Sequence, residues 1–217
     1  MAIERADRTA ALPSRLYVIC DVDALEAASW EPVAFVDACL EAGASLFQLR
    51  AKRLDAGAFA ALTRRVLARA GTSATVIVND RVDVALVTGA GGAHVGQEDL
   101  APAAARAQLG DAAIVGVSTH TEAQLAEAAR QPVSYVAVGP VFGTATKDTG
   151  YAPVGVELIA RAREIAGAGM PLVAIGGITP DRAADAVRAG ADAVAVIGGL
   201  IGPQPGALVA RYLDRLA

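Results

Sequence analysis

The 217-residue sequence predicts a single (β/α)8 barrel, in which eight parallel strands alternate with helical segments. Eight short runs rich in β-branched residues recur along the chain, and most are apolar throughout, which is typical of parallel strands buried on both faces. Alanine-rich segments with helical periodicity separate these runs. Strict alternation of strand and helix implies a parallel sheet, and eight such units in a chain of this length most simply close into a barrel.

The strands are predicted directly from the apolar runs. They are Leu16–Asp21, Leu46–Arg50, Thr75–Asn79, Ala93–Gly96, Ile114–Ser118, Tyr135–Gly139, Leu172–Gly176 and Ala193–Ile197. An open, doubly wound sheet is the alternative architecture. Its phosphate-binding fingerprint, G-x-G-x-x-G after the first strand, is missing, because this strand leads into Asp21-Val22-Asp23-Ala24.

The helices are predicted from apolar residues at three-to-four spacing. Thr179-Pro180-Asp181 marks a helix start, with Thr179 as the N-cap and Pro180 at the first helical position, and Gly190 ends that helix. The segments after strands three and four are expected to be shorter helical links. The larger predicted helices are Pro32–Ala42, Asp55–Ala70, Thr121–Arg130, Val154–Ala166, Pro180–Ala189 and Gly206–Leu216.

Composition and charge narrow the class of protein. We expect a loose leader over residues 1–14 and one barrel domain over 15–217, since no linker or low-complexity block divides the chain. The formal net charge of −4 argues against a nucleic-acid or anionic-membrane binder, and no apolar run reaches the ~18–20 residues of a membrane span. The N-terminus has no signal-peptide pattern, and Cys20 and Cys39 show no disulfide spacing, so we expect a cytoplasmic protein with reduced thiols. A homo-oligomer is left open.

The rare polar residues fall at the carboxyl ends of predicted strands, where the active sites of such barrels lie. Both lysines of the chain, Lys52 and Lys147, follow strands two and six, and its one asparagine, Asn79, ends strand three. His120 follows strand five. Solvated loop residues are the plainer interpretation, but convergence of the set on one face favours a site.

Two glycine pairs, Gly176-Gly177 and Gly198-Gly199, follow strands seven and eight. Glycine lets backbone N–H groups approach an anion, and the helix start at Thr179 adds partial positive charge. These loops are the usual phosphate site of a (β/α)8 barrel. The pattern favours a phosphate monoester, although the glycines could also serve only as tight turns.

A second anion site is predicted on the opposite side of the mouth. Arg50, Lys52 and Lys147 are expected beside Asp80 and Asp99, a set suited to a diphosphate bound with one Mg2+. Surface ion pairs are the alternative. Two anion sites together fit an enzyme that joins a phosphate ester to a diphosphate ester and releases pyrophosphate.

Several motifs resemble the thiamine phosphate synthase family. They are Gln48-Leu49-Arg50-x-Lys52, Val78-Asn79-Asp80, His94-Val95-Gly96-Gln97-Glu98-Asp99-Leu100, Gly116-Val117-Ser118, Gly139-Pro140-Val141-Phe142, Thr144-x-Thr146-Lys147 and Ile175-Gly176-Gly177-Ile178. The resemblance covers about residues 46–199. It implies a barrel transferase that couples a hydroxymethylpyrimidine diphosphate to a thiazole phosphate, or to its carboxylated form.

The resemblance also implies roles for individual residues. Gln48, Arg50, Lys52, Asn79, Ser118 and Lys147 would hold the pyrimidine diphosphate, with Arg50, Lys52, Lys147 and Ser118 acting on the leaving group. Asp80 and Asp99 would hold Mg2+. The thiazole phosphate would contact Thr144, Thr146, Gly177, Ile197 and Gly198.

Two positions depart from the family pattern. Ala51 stands where the family often has an acid, and Gly198 stands where many members have Ser, so phosphate binding there would use backbone N–H groups only. His94 is expected to be a hydrogen-bonded interior residue rather than a catalyst. The related thiazole tautomerases would use a histidine near His120, and a non-catalytic phosphate-binding regulator is a third hypothesis.

Overall fold

The structure, a computed structural model, describes residues 12–143 and 155–217. Its eight parallel strands close into a barrel, because each strand pairs with the next and the first pairs with the last. The strands are β1 (Leu16–Asp21), β2 (Leu46–Arg50), β3 (Thr75–Asn79), β4 (Gly92–Val95), β5 (Ile114–Thr119), β6 (Tyr135–Val138), β7 (Leu172–Ile175) and β8 (Ala193–Val196). The predicted barrel is confirmed, and no predicted strand end is wrong by more than one residue.

Helices connect the strands around the outside. They are α1 (Val22–Ala27), α2 (Pro32–Glu41), α3 (Ala56–Ala70), α4 (Val82–Thr88), α5 (Pro102–Leu109), α6 (Glu122–Ala128), α7 (Glu157–Ala166), α8 (Pro180–Arg188) and α9 (Pro205–Leu216), with a short 3-10 turn at Gly198–Leu200. The links after β3 and β4 are the short helices α4 and α5. Residue 154, the predicted start of the helix after β6, lies outside the described residues, as do residues 1–11 of the predicted leader.

Helix α1 was not predicted from the sequence. Its N-cap is Asp21, the last residue of β1, whose carboxylate accepts a hydrogen bond from the Ala24 N–H at 3.1 Å. The apolar pattern of six residues is too short to distinguish such a helix from a loop. The caps that were predicted are present: the Thr179 hydroxyl accepts from the Arg182 N–H, and Gly190 adopts a φ of 117° after the last turn of α8.

Side chains alternate between the two faces of each strand, so the apolar core has two parts, one outside and one inside the barrel. Outward side chains such as Val18, Leu49 and Val78 pack under the helices. Inward side chains such as Ile19, Leu46 and Ile77 fill the barrel interior. Cys20 and Cys39 are buried and unpaired in the outer layer, as expected. No helix within residues 12–143 and 155–217 is long and apolar enough to cross a membrane.

Candidate functional site

Two cavities open at the carboxyl ends of the strands. The first, of about 280 Å³, is called the polar cavity and is lined by Arg50, Lys52, Asn79, Asp80, His94, Gly96, Gln97, Glu98, Asp99, Ser118 and His120. The second, of about 290 Å³, is called the glycine cavity, and its lining includes Ser118, His120, Gly143, Gly176, Gly177, Thr179, Arg182, Ile197, Gly198 and Gly199. Ser118 and His120 line both, so the two cavities meet at the end of β5.

Strand β2 supplies the basic side chains of the polar cavity. Gln48 lies in the barrel interior and Arg50 at its mouth, whereas the alternate residues Leu49 and Ala51 are buried in the outer layer. Arg50 forms an ion pair with Asp21 at the end of β1, and both side chains are mostly buried. Asp21 was not predicted as a site residue from the sequence, although an acid at the end of a strand next to the strand that carries an arginine was a usable signal.

Lys52 and Asp80 form an ion pair across the rim of the polar cavity. Asp80 follows β3 at a position where strand alternation would send its side chain outward. Its φ of 60° is left-handed, and its N–H donates to the His94 carbonyl at 2.8 Å. The left-handed turn therefore brings the carboxylate to the rim, in a conformation that aspartate tolerates better than most residues.

Asp99 lies against Asp80 and completes an acidic pair. Its carboxylate accepts a hydrogen bond from the Gly96 N–H at 2.7 Å. Burial, together with the neighbouring Asp80 carboxyl, raises the pKa of Asp99 above its ordinary value. Two carboxylates held this close are poised for a cation, because a positive charge between them removes their repulsion.

The chemistry of this donor set fits Mg2+. Among the described residues no group of three or more His, Cys, Asp or Glu side chains is arranged to hold a metal ion. Asp80 and Asp99 therefore offer two carboxylates at most from that part of the chain. Mg2+ is usually held by one or two carboxylates, and it completes its shell with water and phosphate oxygens.

A row of hydrogen-bonded polar side chains leads from the barrel interior to the polar cavity; we call Gln48, Tyr17, Tyr135, His94 and Ser118 the interior row. Its first four members are buried, and Ser118 is half-buried. Gln48 Nε2 donates to the Tyr17 hydroxyl at 3.1 Å, and the two tyrosine hydroxyls lie 3.0 Å apart. The Nδ1 atom of His94 lies 2.8 Å from the Tyr135 hydroxyl, and its Nε2 atom lies 2.8 Å from the Ser118 hydroxyl. His94 is thus a hydrogen-bonded interior residue, as predicted.

Burial raises the pKa of both Tyr17 and Tyr135 above the ordinary value, so both remain protonated phenols at neutral pH. The ring of Tyr135 needs the space above Gly116. A Cβ atom at Gly116 would lie 2.0 Å from the Cζ atom of Tyr135. The glycine of the Gly116-Val117-Ser118 motif is therefore required by packing within the barrel.

Glycines shape the second cavity because backbone segments pass close to one another there. Gly177 has a φ of 60°, and a Cβ atom on it would lie 2.3 Å from the Gly143 carbonyl oxygen. Gly176 has a φ of 104°, and a Cβ atom on it would lie 2.7 Å from the Cα atom of Pro140. Gly198 begins the 3-10 turn after β8, and Ile197 precedes it in the wall of the cavity. Both glycine pairs line this one cavity, and their role in binding a phosphate stays a prediction.

Arg182 is a cation of the glycine cavity that the sequence analysis missed. Its guanidinium carbon lies 4.5 Å from the centre of the Phe142 ring, and its Nη1 donates to the Gly177 carbonyl at 3.0 Å. No carboxylate among the described residues forms an ion pair with it, so its charge is available to a ligand. Its position in the first turn of α8, beside the glycine pair, was the signal in the sequence.

His120 lies between the two cavities. Its Nδ1 atom lies 2.5 Å from the Gly139 carbonyl oxygen, and its backbone N–H donates to the Gln124 side chain. A carbonyl only accepts hydrogen bonds, so Nδ1 carries the proton of this contact. The contact fixes the orientation of the imidazole ring.

The structure places nine of the predicted site residues at these cavities and leaves three undescribed. Lys52, Asp80 and Asp99 share one hollow. The predicted set also includes Lys147, which the described residues do not test. Gln48 lies one layer deeper, in a small cavity of about 40 Å³ that Arg50, Asn79 and Ser118 also line. Thr144, Thr146 and Lys147 lie outside the described residues. The proposed roles of all these residues remain predictions.

Comparisons with known proteins agree with this geometry. Residues 16–200 match the family model described as thiamine monophosphate synthase. The chain is 38% identical over 205 residues to the thiamine-phosphate synthase of Chloroflexus aurantiacus, covering 93% of this chain and 92% of that protein. It is also 42% identical over 189 residues to the thiamine biosynthesis bifunctional protein ThiM/ThiE of Symbiobacterium thermophilum, of which it spans 38%.

A solved structure described as thiamine phosphate pyrophosphorylase from Pyrococcus furiosus superposes with a TM-score of 0.83 at 28% identity, covering 93% of this chain and 95% of that one. The family match extends over the strands that carry both cavities. The chain belongs to the thiamine monophosphate synthase family.

Proposed function

We propose that the protein is a thiamine phosphate synthase, a transferase that joins a pyrimidine diphosphate to a thiazole phosphate and releases pyrophosphate. The substrates are 4-amino-2-methyl-5-(diphosphooxymethyl)pyrimidine and 4-methyl-5-(2-phosphoethyl)thiazole or its carboxylated form. The observation that carries the proposal is the meeting of two cavities with different linings at Ser118 and His120. One is rich in carboxylates and basic side chains, and the other is lined by glycine.

The polar cavity would bind the pyrimidine diphosphate. Arg50 and Lys52 provide positive charge at the rim, and the ion pairs with Asp21 and Asp80 hold both side chains in place. Gln48 and Asn79 lie deeper, where amide groups can donate to and accept from the ring nitrogens and amino group of the pyrimidine. Ser118 and Lys147 complete the proposed set around the diphosphate.

One Mg2+ ion is part of the proposal, held by Asp80 and Asp99. When bound, it would neutralise charge on the diphosphate oxygens and so favour departure of pyrophosphate. The position of the Asp99 carboxyl against the Asp80 carboxyl supports this placement, and burial together with this neighbour raises the pKa of Asp99.

The glycine cavity would hold the phosphate of the thiazole. Backbone N–H groups near Gly177 and Gly198 can donate to phosphate oxygens, and Ile197 offers an apolar wall for the thiazole ring. Thr144 and Thr146 are proposed to contribute hydroxyls. Arg182 adds a positively charged side chain to the site, which offsets the absence of a serine hydroxyl at position 198.

The reaction would break one C–O bond and form one C–N bond. The bond between the pyrimidine methylene and the diphosphate breaks first, and its electron pair leaves with the diphosphate. The aminopyrimidine shares the positive charge left on the methylene. Arg50, Lys52, Lys147 and Ser118 would stabilise the departing anion, and fixed charges at the place where charge develops are the main source of catalysis in such a step.

The thiazole nitrogen then donates its lone pair to the methylene. This nitrogen carries no proton, so the coupling needs no general base. The chain's task is to hold the thiazole phosphate in the glycine cavity with its nitrogen facing the polar cavity. Holding two reactants in this way can remove several kcal/mol from the barrier, about 7–11 kcal/mol in the most favourable cases.

The direct test is to mix the protein with both phosphorylated heterocycles and Mg2+ and to measure pyrophosphate and thiamine phosphate. Equal amounts of the two products are expected. Release of pyrophosphate without thiamine phosphate would indicate hydrolysis, and formation of neither would refute the proposal.

A thiazole tautomerase is the second candidate, because His120 lies at the junction of the two cavities with its Nδ1 proton fixed by the Gly139 carbonyl. In the neutral ring Nε2 is then the proton-accepting nitrogen, and it could remove a proton from the thiazole. Tautomerisation without coupling in the same assay would select this candidate. Tight binding of both heterocycles without turnover would select a regulator.

The proposal includes small-molecule substrates and a cytoplasmic location, without nucleic-acid or membrane partners. The buried, unpaired thiols of Cys20 and Cys39 support a reducing compartment. Assembly into a homo-oligomer is left open.

A further inference from the structure

The interior row joins Gln48, one layer below the mouth of the barrel, to the Ser118 hydroxyl through four consecutive hydrogen bonds. They link Gln48 to Tyr17, Tyr17 to Tyr135, Tyr135 to His94, and His94 to Ser118, over 2.8–3.1 Å each. Three of the five side chains are aromatic rings that pack against one another inside the barrel. The Tyr17 and Tyr135 rings meet edge to face, and the His94 ring stacks on Tyr135. Only Ser118, at the end of the row, lines both cavities.

The donors and acceptors of this row can be assigned from one end. The amide nitrogen of Gln48 can only donate, so the Tyr17 oxygen accepts from it. Tyr17 is 1% exposed, and the Tyr135 hydroxyl is the remaining polar group within its reach among the described residues. A buried hydroxyl proton without an acceptor is costly, so Tyr17 donates to Tyr135.

Tyr135 and His94 can be assigned in the same way. Tyr135, which is fully buried, accepts from Tyr17 and directs its own proton to His94 Nδ1. A neutral imidazole with an accepting Nδ1 carries its proton on Nε2, so His94 Nε2 donates to the Ser118 oxygen. The Ser118 proton is then not used inside the barrel and points to the cavities.

We propose that Tyr135 is a positioning residue that holds His94 in the Nε2-protonated tautomer, so that Ser118 presents its hydroxyl proton to the ligand in the polar cavity. The identity of this ligand as a diphosphate rests on the proposed function. Diphosphate oxygens only accept hydrogen bonds, so they require a donor from Ser118. Because each hydrogen bond in the interior row is donated from the Gln48 side towards Ser118, the Ser118 hydroxyl keeps its own proton for the ligand.

If each hydrogen bond were instead donated from the Ser118 side towards Gln48, Ser118 would have no proton for the ligand. This arrangement needs the Gln48 carbonyl oxygen, rather than its amide nitrogen, on Tyr17. Every proton in the row would then shift by one position: His94 would be protonated on Nδ1, and Ser118 would donate to His94 Nε2. Ser118 could then only accept from a ligand and would not stabilise an anion.

Nitrogen-15 NMR of the full-length protein labelled at histidine tests the assignment without any substrate. The chain has two histidines, His94 and His120, so a His120→Ala protein assigns the signals. The wild-type protein at neutral pH is expected to show His94 protonated on Nε2. Protonation on Nδ1, or on both nitrogens, would overturn the proposal.

Tyr135→Phe removes the donor to Nδ1 and is expected to move His94 to a mixture of tautomers. Tyr212→Phe is the matched control, because the Tyr212 hydroxyl is also buried but donates to the Ile178 carbonyl at 2.8 Å, outside the interior row. This variant should leave the His94 signals unchanged. If Tyr135→Phe also leaves them unchanged, Tyr135 does not set the tautomer.

Binding of inorganic pyrophosphate with Mg2+, measured by calorimetry, tests the effect on Ser118. Tyr135→Phe should weaken binding several-fold in the wild-type background and should have no effect in a Ser118→Ala background, because the hydroxyl it orients is gone. An equal loss in both backgrounds would contradict the proposal. If the wild-type protein does not bind pyrophosphate at all, the proposed function fails, whereas the tautomer measurement still decides the role of Tyr135.

Discussion

The guanidinium of Arg182 lies 4.5 Å over the ring of Phe142, which brings a residue of α8 against the loop that follows β6. The same guanidinium donates to the Gly177 carbonyl. A cation is thereby fixed beside the glycine pair that follows β7. This contact joins the loops that follow β6 and β7, which form part of the glycine cavity. It also places a side-chain charge where a phosphate is proposed to bind.

Arg182→Ala is expected to raise the KM for the thiazole phosphate about tenfold, near the lower end of what a hydrogen bond to a charged group contributes, because Arg182 is exposed. The KM for the pyrimidine diphosphate should not change. Arg188→Ala is the control, since Arg188 lies on the same helix and forms an exposed ion pair with Asp185. Equal effects of both variants, in steady-state kinetics, would argue against a phosphate contact.

Asp80→Ala and Asp99→Ala are each expected to lower Mg2+-dependent turnover by about 100- to 1000-fold, the range seen when a main electrostatic contributor to a transition state is removed. Both should also weaken Mg2+ binding in a titration. Asp83→Ala serves as the control, because Asp83 pairs with Arg81 at the surface. Wild-type rates in both variants would show that Asp80 and Asp99 do not hold a catalytic Mg2+ ion.

Lys147→Ala is expected to cut the coupling rate about 100-fold without lowering the melting temperature. Lys147 lies outside the described residues, so this prediction depends on the sequence resemblance. The rate and a thermal melt are measured on the same preparation. An unchanged rate would exclude Lys147 from the site.

His120→Ala is expected to leave the coupling rate within about threefold of wild type, because proximity and charge stabilisation do not need an acid or base. The assay follows thiamine phosphate with both substrates saturating. Complete loss of coupling, in a protein that still melts cooperatively, would favour acid–base chemistry and the tautomerase candidate.

Gly116→Ala is expected to destabilise the barrel, because its Cβ atom would lie 2.0 Å from the Cζ of buried Tyr135. Overpacking of a core costs about 1–3 kcal/mol, which lowers the melting temperature of a domain this size by about 2–12 °C. Gly169→Ala is the control, since nothing lies within 4 Å of a Cβ atom there. Equal melting temperatures for the two variants would show that the Tyr135 ring can move to accommodate the added methyl group without loss of stability.

The sequence alone determined the barrel and the face that carries the site. Apolar runs on eight strands have no water-facing side, so they require helices around them, and the polar residues Lys52, Asn79 and Asp80 then fall at one end of the strands. The position of the glycine pairs after β7 and β8 was predictable for the same reason, because both pairs follow strands of the predicted barrel.

Only the tertiary structure decided how these residues are paired. The ion pair of Arg50 with Asp21, the contact of Arg182 with Phe142, and the interior row from Gln48 to Ser118 each join different strands or loops. Hydrogen bonds and ion pairs of this kind require segments far apart in sequence to be positioned to within about a few tenths of an ångström. Periodicity reports which face a side chain occupies, but it carries no information on the partner that the closed barrel places opposite.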